Sequence, residues 1–182
     1  MPTYIALLRG VNVGGKNKLS TQDFTDVLES LNLTQVKTYI QSGNAVFQTT
    51  AQNAKVLPEK LKQAIKEHHG FSPDVLILDS SELAAAIVAN PFSEANDNPK
   101  SLHLTFLPVK PKQPDLDMLE SIKKESEAFK LIEKVFYFYA PEGVGRSKAF
   151  SKIERALGVS GTARNWRTAN KLLELARGEE IV

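Results

Sequence analysis

Val36-Lys37-Thr38-Tyr39-Ile40-Gln41-Ser42-Gly43-Asn44-Ala45-Val46-Phe47-Gln48-Thr49 reads as two short strands, Val36–Ile40 and Ala45–Thr49. They join at Gln41-Ser42-Gly43-Asn44, where glycine supplies the positive φ of a tight turn. A hairpin of this kind belongs to an antiparallel sheet, and its neighbours extend that reading. Before it, Thr3–Arg9 is an apolar run suited to a buried strand. A helix then starts at Ser20, a natural N-cap with Asp23 three residues on and Leu19 and Phe24 placed as a hydrophobic staple. Phe24, Val27, Leu28 and Leu31 form its apolar stripe. After the hairpin a second helix runs to Gly70, with Pro58 near its start and Leu57, Leu61 and Ile65 on one face. Asp74–Leu78 is a further strand. Strand-helix-strand-strand-helix-strand is the ferredoxin-like order.

The order recurs downstream. Ser80–Asn90 is an extra helix, and the polar stretch 93–100 reads as a linker. Leu102–Leu107 is a strand, and a proline-rich loop leads to a helix around Leu116, Leu119 and Ile122. Phe129–Ile132 and Val135–Tyr139 are strands, Ala149–Leu157 a helix, Gly161–Arg164 a strand and Trp166–Ala176 a closing helix. The expected fold is α+β: two tandem ferredoxin-like (βαββαβ) halves with antiparallel sheets, spanning 1–79 and 101–182, with a connecting helix and linker over 80–100. No residue-level repeat relates the halves.

The 182 residues carry 23 Lys or Arg against 21 Asp or Glu, a net charge of +2 that forces no nucleic-acid or membrane partner. The charge is unevenly placed. Residues 1–22 carry Arg9, Lys16 and Lys18 and no acid, and residues 144–182 carry eight Lys or Arg against four Glu. The absence of cysteine excludes thiolate catalysis, disulfides and thiolate-bound zinc. With no charged leader and no long apolar run, a soluble cytoplasmic protein is expected.

Between the first strand and helix lies Arg9-Gly10-Val11-Asn12-Val13-Gly14-Gly15-Lys16-Asn17-Lys18. It comes within one residue of a phosphate-cradling P-loop, with Asn17 where Ser or Thr would ligate Mg²⁺. The antiparallel hairpin argues against that reading, because P-loop enzymes are built on parallel crossovers. Asp79, the candidate metal-binding acid, precedes Ser80-Ser81-Glu82 and reads as a helix start. Anion binding without hydrolysis and a purely structural turn remain.

A 4-1-3-2 strand order sets this loop beside Gln41–Asn44. One corner thus gathers Arg9, Asn12, Lys16, Gln41, Ser42 and Asn44 with the amides of Gly14 and Gly15, and a free helix N-terminus completes an anion pocket. His68 and His69 arrive at the same edge, where adjacent helical histidines chelate a metal poorly. In the second half, Arg146, Ser147 and Lys148 are expected to approach Arg164, Asn165, Trp166 and Arg167. That cluster is the more basic, with Ser147 and Asn165 as N-caps, and it ranks above the first. His103 reads as a bland strand position. Phe136-Tyr137-Phe138-Tyr139 is apolar on both faces, which suits a doubly covered strand better than an RNA-stacking surface. No metal site, cofactor or nucleophile–base pair stands out.

Tyr4–Lys18, Thr38–Asn44, Gly145–Lys148 and Thr162–Thr168 together resemble, nearly end to end, the mostly bacterial family called domain of unknown function 1697. The resemblance implies an α+β protein of two ferredoxin-like halves. It implies no activity, and it makes Asn17 part of the pattern. The leading expectation is a protein that binds a phosphorylated or other anionic ligand, nucleotide or nucleic acid included, through its glycine- and arginine-rich loops. The alternatives are a protein-interaction or structural module without a small-molecule ligand and, third, a phosphoester hydrolase.

Overall fold

The structure, a computed structural model, describes residues 1–178 of the chain. Among the described residues the elements run β1 (Thr3–Arg9), α1 (Thr21–Ser30), β2 (Thr34–Thr38), β3 (Asn44–Gln48), α2 (Ala51–His69), β4 (Asp74–Asp79) and α3 (Ser80–Val88). Then follow β5 (Leu102–Phe106), α4 (Leu116–Ile122), β6 (Ala128–Ile132), β7 (Val135–Tyr139), α5 (Ile153–Leu157), β8 (Thr162–Asn165) and α6 (Trp166–Ala176). The protein is α+β, with two four-stranded antiparallel sheets ordered β2-β3-β1-β4 and β6-β7-β5-β8. Two compact units divide the chain: residues 1–84 with 171–178, and residues 85–170. Their boundaries fall inside α3 and α6.

In the first unit β1 is central, with Ile5 opposite Val46 on β3 and Leu78 on β4. Alternation sends Tyr4, Ala6 and Leu8, with Ala45 and Phe47, into a core shared with Phe24 and Leu28 of α1 and Leu57, Leu61 and Ile65 of α2. Ile5, Leu7 and Val46 point the other way and are buried too. Leu175 and Ala176 of α6 line a cleft with Thr3, Val46 and Gln48 on that face. Burial on both sides explains why β1 is apolar from residue 4 to residue 8 and does not alternate.

Two boundaries differ from expectation for identifiable reasons. β2 lies two residues earlier than the sequence suggests, because Thr34 faces Gln48 while Lys37 faces Val46. One extra residue is therefore accommodated in a β-bulge, with Gln35 at φ +52°. α2 begins at Ala51, so Pro58 sits in its interior and not near its start. The Thr50 hydroxyl caps it by accepting the Asn53 amide at 3.2 Å, and the buried stripe from Ala54 through Leu57 and Leu61 outweighs the lost amide.

In the second unit Phe136 and Phe138 face a core with Leu107, Leu119, Ile153 and Leu157. Tyr137 points to the opposite face and donates its hydroxyl to the Ala86 carbonyl at 2.5 Å. Its phenol is pushed up to about 12 by burial. The strand is thus covered on both sides, as its run of aromatics indicates. The expected helix 149–157 is divided into a 3-10 turn, Phe150–Lys152, and α5, and the expected linker carries a 3-10 turn at Ser93–Asn96. No helix among the described residues is long and apolar enough to cross a membrane.

Candidate functional site

β1 ends and β3 begins at the same edge of the first sheet, where Leu7 faces Asn44. The loops that follow and precede them pack together as the strand order requires. The Leu8 amide donates to the Gly43 carbonyl at 2.8 Å. A Cβ on Gly43 would fall 2.5 Å from Leu8 Cβ and 2.9 Å from Val11 Cγ2, at a φ of +74°, so only glycine fits. Asn12 ties the loops to each other. Its Oδ1 accepts the Leu19 amide at 2.9 Å, and its Nδ2 donates to the carbonyls of Leu19 at 2.7 Å and Gln41 at 2.8 Å. Asn17 Nδ2 donates to the Gly10 carbonyl at 2.9 Å, and the Asn12 amide donates to the Asn17 carbonyl at 3.0 Å.

Within that frame Val13-Gly14-Gly15-Lys16 is a two-residue hairpin. Gly14 and Gly15 have φ +58° and +74°, and the Lys16 amide closes the turn onto the Val13 carbonyl at 3.0 Å. Positive φ at both central residues is the type I′ geometry. The stretch that resembles a P-loop is therefore an exposed hairpin closed on itself and not the strand-to-helix turn of a P-loop. The start of α1 is likewise occupied. Ser20 Oγ accepts the Asp23 amide at 3.0 Å and donates to the Asp23 carboxylate at 2.6 Å. These Ser20 hydrogen bonds hold the carboxyl below the usual range. The helix already carries its own anion, so its N-terminus is not the open site expected from the sequence.

The corner's polar side chains divide into two kinds. Asn12 and Asn17 hold the loop, and buried Asn44 closes the turn by donating to Ser42 Oγ at 2.7 Å and to the Tyr39 carbonyl at 3.1 Å. Arg9, Gly14, Gly15, Lys16, Lys18 and Gln41 are exposed. Two features escaped the sequence reading. Ile40 has φ +48° and is 50% exposed, and Val13 is 65% exposed. Gly14-Gly15 between Val13 and Lys16 was a legible I′ signal; nothing in the sequence announces an isoleucine in left-handed backbone.

His68 and His69 line a cleft of about 360 Å³ with Asp23, Asp26, Val27 and Ser30, between α1 and α2. Among the described residues, no three or more His, Cys, Asp or Glu side chains are grouped so as to hold a metal ion.

In the second unit the expected strand ends do converge: Tyr139 of β7 faces Leu102, and Asn165 of β8 faces His103. The side chains there are differently employed. Ser147 is buried and its Oγ accepts the Phe150 amide at 3.0 Å. Asn165 Oδ1 accepts the Thr168 amide at 2.9 Å, capping α6. Trp166 is buried and donates Nε1–H to Asn96 Oδ1 at 3.3 Å, so it offers no stacking face. Arg164, in register with Leu104, lies on the sheet face opposite to Asn165. Its Nη1 donates to the Ala163 carbonyl at 2.8 Å, and burial pulls its guanidinium down to about 10. Arg146, Lys148 and Arg167 are exposed. His103 packs edge-on against Phe150, with ring centroids 5.3 Å apart. Its Nδ1 is buried without a partner, and desolvation lowers its pKa.

The fold is similar to that of the conserved bacterial protein SP0830 from Streptococcus pneumoniae. The TM-score is 0.66 and the identity 25%, covering 96% of this chain and 98% of that one. Among curated proteins there is no match. The family model described as protein of unknown function (DUF1697) matches residues 1–137, a stretch that contains the glycine loop and the Ile40–Asn44 turn, and the chain belongs to that family.

Proposed function

We propose that the protein binds an anionic partner, bearing phosphate or carboxylate groups, through the corner formed by residues 9–18 and 40–44. The observation that carries this reading is the exposure of Lys16 and Lys18 on a loop whose asparagines are committed to its shape. Neither lysine is in an ion pair among the described residues, and residues 1–22 contain no acid. A pre-shaped loop pays little ordering entropy when its cations meet a ligand. Arg9, the Gly14 and Gly15 amides and Gln41 are the further contacts of this site.

The sequence favoured the Arg146, Ser147, Lys148, Arg164, Asn165 and Arg167 cluster. We now rank it second, because Arg164 is largely buried and Ser147 and Asn165 serve as caps. We read each half, with its βαββαβ order, as ferredoxin-like, and place the protein in the cytoplasm, where a chain without cysteine is at home. Catalysis is not part of this reading.

Fluorescence anisotropy with labelled poly-Glu and oligo-dT tests it. Affinity falls as salt rises, and Lys16→Ala with Lys18→Ala removes most of the binding. Absence of binding to both probes at low salt overturns the reading.

A further inference from the structure

We propose that this corner docks an acidic segment of a protein partner, one that sets a branched apolar side chain among its carboxylates. The proposal rests on the anion-binding reading above and names its ligand class. Val13 and Ile40 are 65% and 50% exposed, and each adjoins a residue of the Asn12–Gln41 hydrogen bond. A single exposed valine or isoleucine needs no explanation. Here two flank one bond, and Ile40 holds φ +48°, a conformation that disfavours β-branched side chains. The strain adds nothing to the core, since the side chain stays half in solvent.

The loop that carries Val13 also carries exposed Arg9, Lys16 and Lys18, with no acid in the first 22 residues. Apolar and charged side chains exposed together on two tied loops are what a protein interface combines. Single-stranded nucleic acid, by contrast, draws on aromatic stacking, and none of the exposed residues of these two loops is aromatic. Charge complementarity then makes the partner segment acidic.

The test compares three labelled probes by anisotropy: a short peptide of alternating Glu and Leu, a poly-Glu peptide of equal charge, and oligo-dT. The Glu-Leu peptide binds at least about tenfold tighter than poly-Glu, an increment that burial of one branched side chain supplies. Ile40→Gly brings it down to the poly-Glu level while the unfolding temperature stays level or rises, because glycine accepts positive φ without strain. Val13→Ser weakens it in the same direction. Equal affinity for the two peptides, or tightest binding of oligo-dT unmoved by Ile40→Gly, overturns the docking proposal and leaves the anion-binding reading standing. No binding to any probe at low salt overturns both.

Discussion

Asn12 Nδ2 donates to the backbone oxygen of Gln41 at 2.8 Å, joining two loops 29 residues apart in sequence. The same side chain holds both the amide and the carbonyl of Leu19, so one residue fixes the path of the entire glycine loop. Replacing it strips partners from three backbone groups and leaves a non-glycine residue at φ +53°. Asn12→Ala is expected to cost about 2–4 kcal/mol, measured by urea unfolding, and to loosen amide exchange at Leu19.

Gly43 sits where Leu8 and Val11 leave no room for a side chain. Gly43→Ala combines overpacking with left-handed backbone and is expected to cost about 2–4 kcal/mol. Gly15→Ala, where nothing lies within 4 Å of an added Cβ, is expected to lose only the conformational part, about 1 kcal/mol. Equal losses at the two positions in thermal unfolding would show that packing around Gly43 is unimportant.

Tyr137 links β7 to the Ala86 carbonyl, and burial raises its phenol to about 12 from 10.0. The proton is held more tightly in the folded state, so this stabilisation is complete below pH 10 and lost as pH rises from 10 to 12. Tyr137→Phe leaves the Ala86 oxygen without its donor and is expected to cost about 1–2 kcal/mol at neutral pH. The gap between wild type and variant narrows through that alkaline window, which denaturant titrations at pH 8 and pH 11 measure.

Phe138 is fully buried between strands and packs edge-on against Phe150 at 5.5 Å. Phe138→Ala is expected to cost about 3–5 kcal/mol. Arg167→Ala, an exposed position on α6, is expected to change stability by less than about 0.5 kcal/mol. Chemical denaturation of the two variants side by side tests the contrast.

Much of the fold is legible in the sequence because its signals are local and concordant. Ser20 and Asp23 announce α1, and the run Tyr4–Leu8 announces a strand buried on both faces. The strand order then follows from the hairpin and the lengths of the connections. The bulge at Gln35 is not legible, since one extra residue leaves no trace in composition. The second cluster misleads for a related reason. Arg164 and Asn165 are neighbours in sequence, yet strand alternation sends them to opposite faces of the sheet, and a charge count does not register which face is covered. At the first corner the asparagines signal polarity but not its use: Asn12 and Asn44 spend theirs on backbone groups of their own chain.

The return of residues 171–178 to the first unit bears on how the protein can be made. Ile5, Leu7 and Val46 lie on a sheet face that shares its cleft with Leu175 and Ala176. During synthesis that face emerges from the ribosome early, and this part of its surroundings arrives only when nearly the whole chain has followed. A fragment that stops after β4 would carry every strand of the first sheet and still expose a sticky apolar surface. The halves repeat in topology, but the first includes a piece of chain delivered after the second has been spelled out.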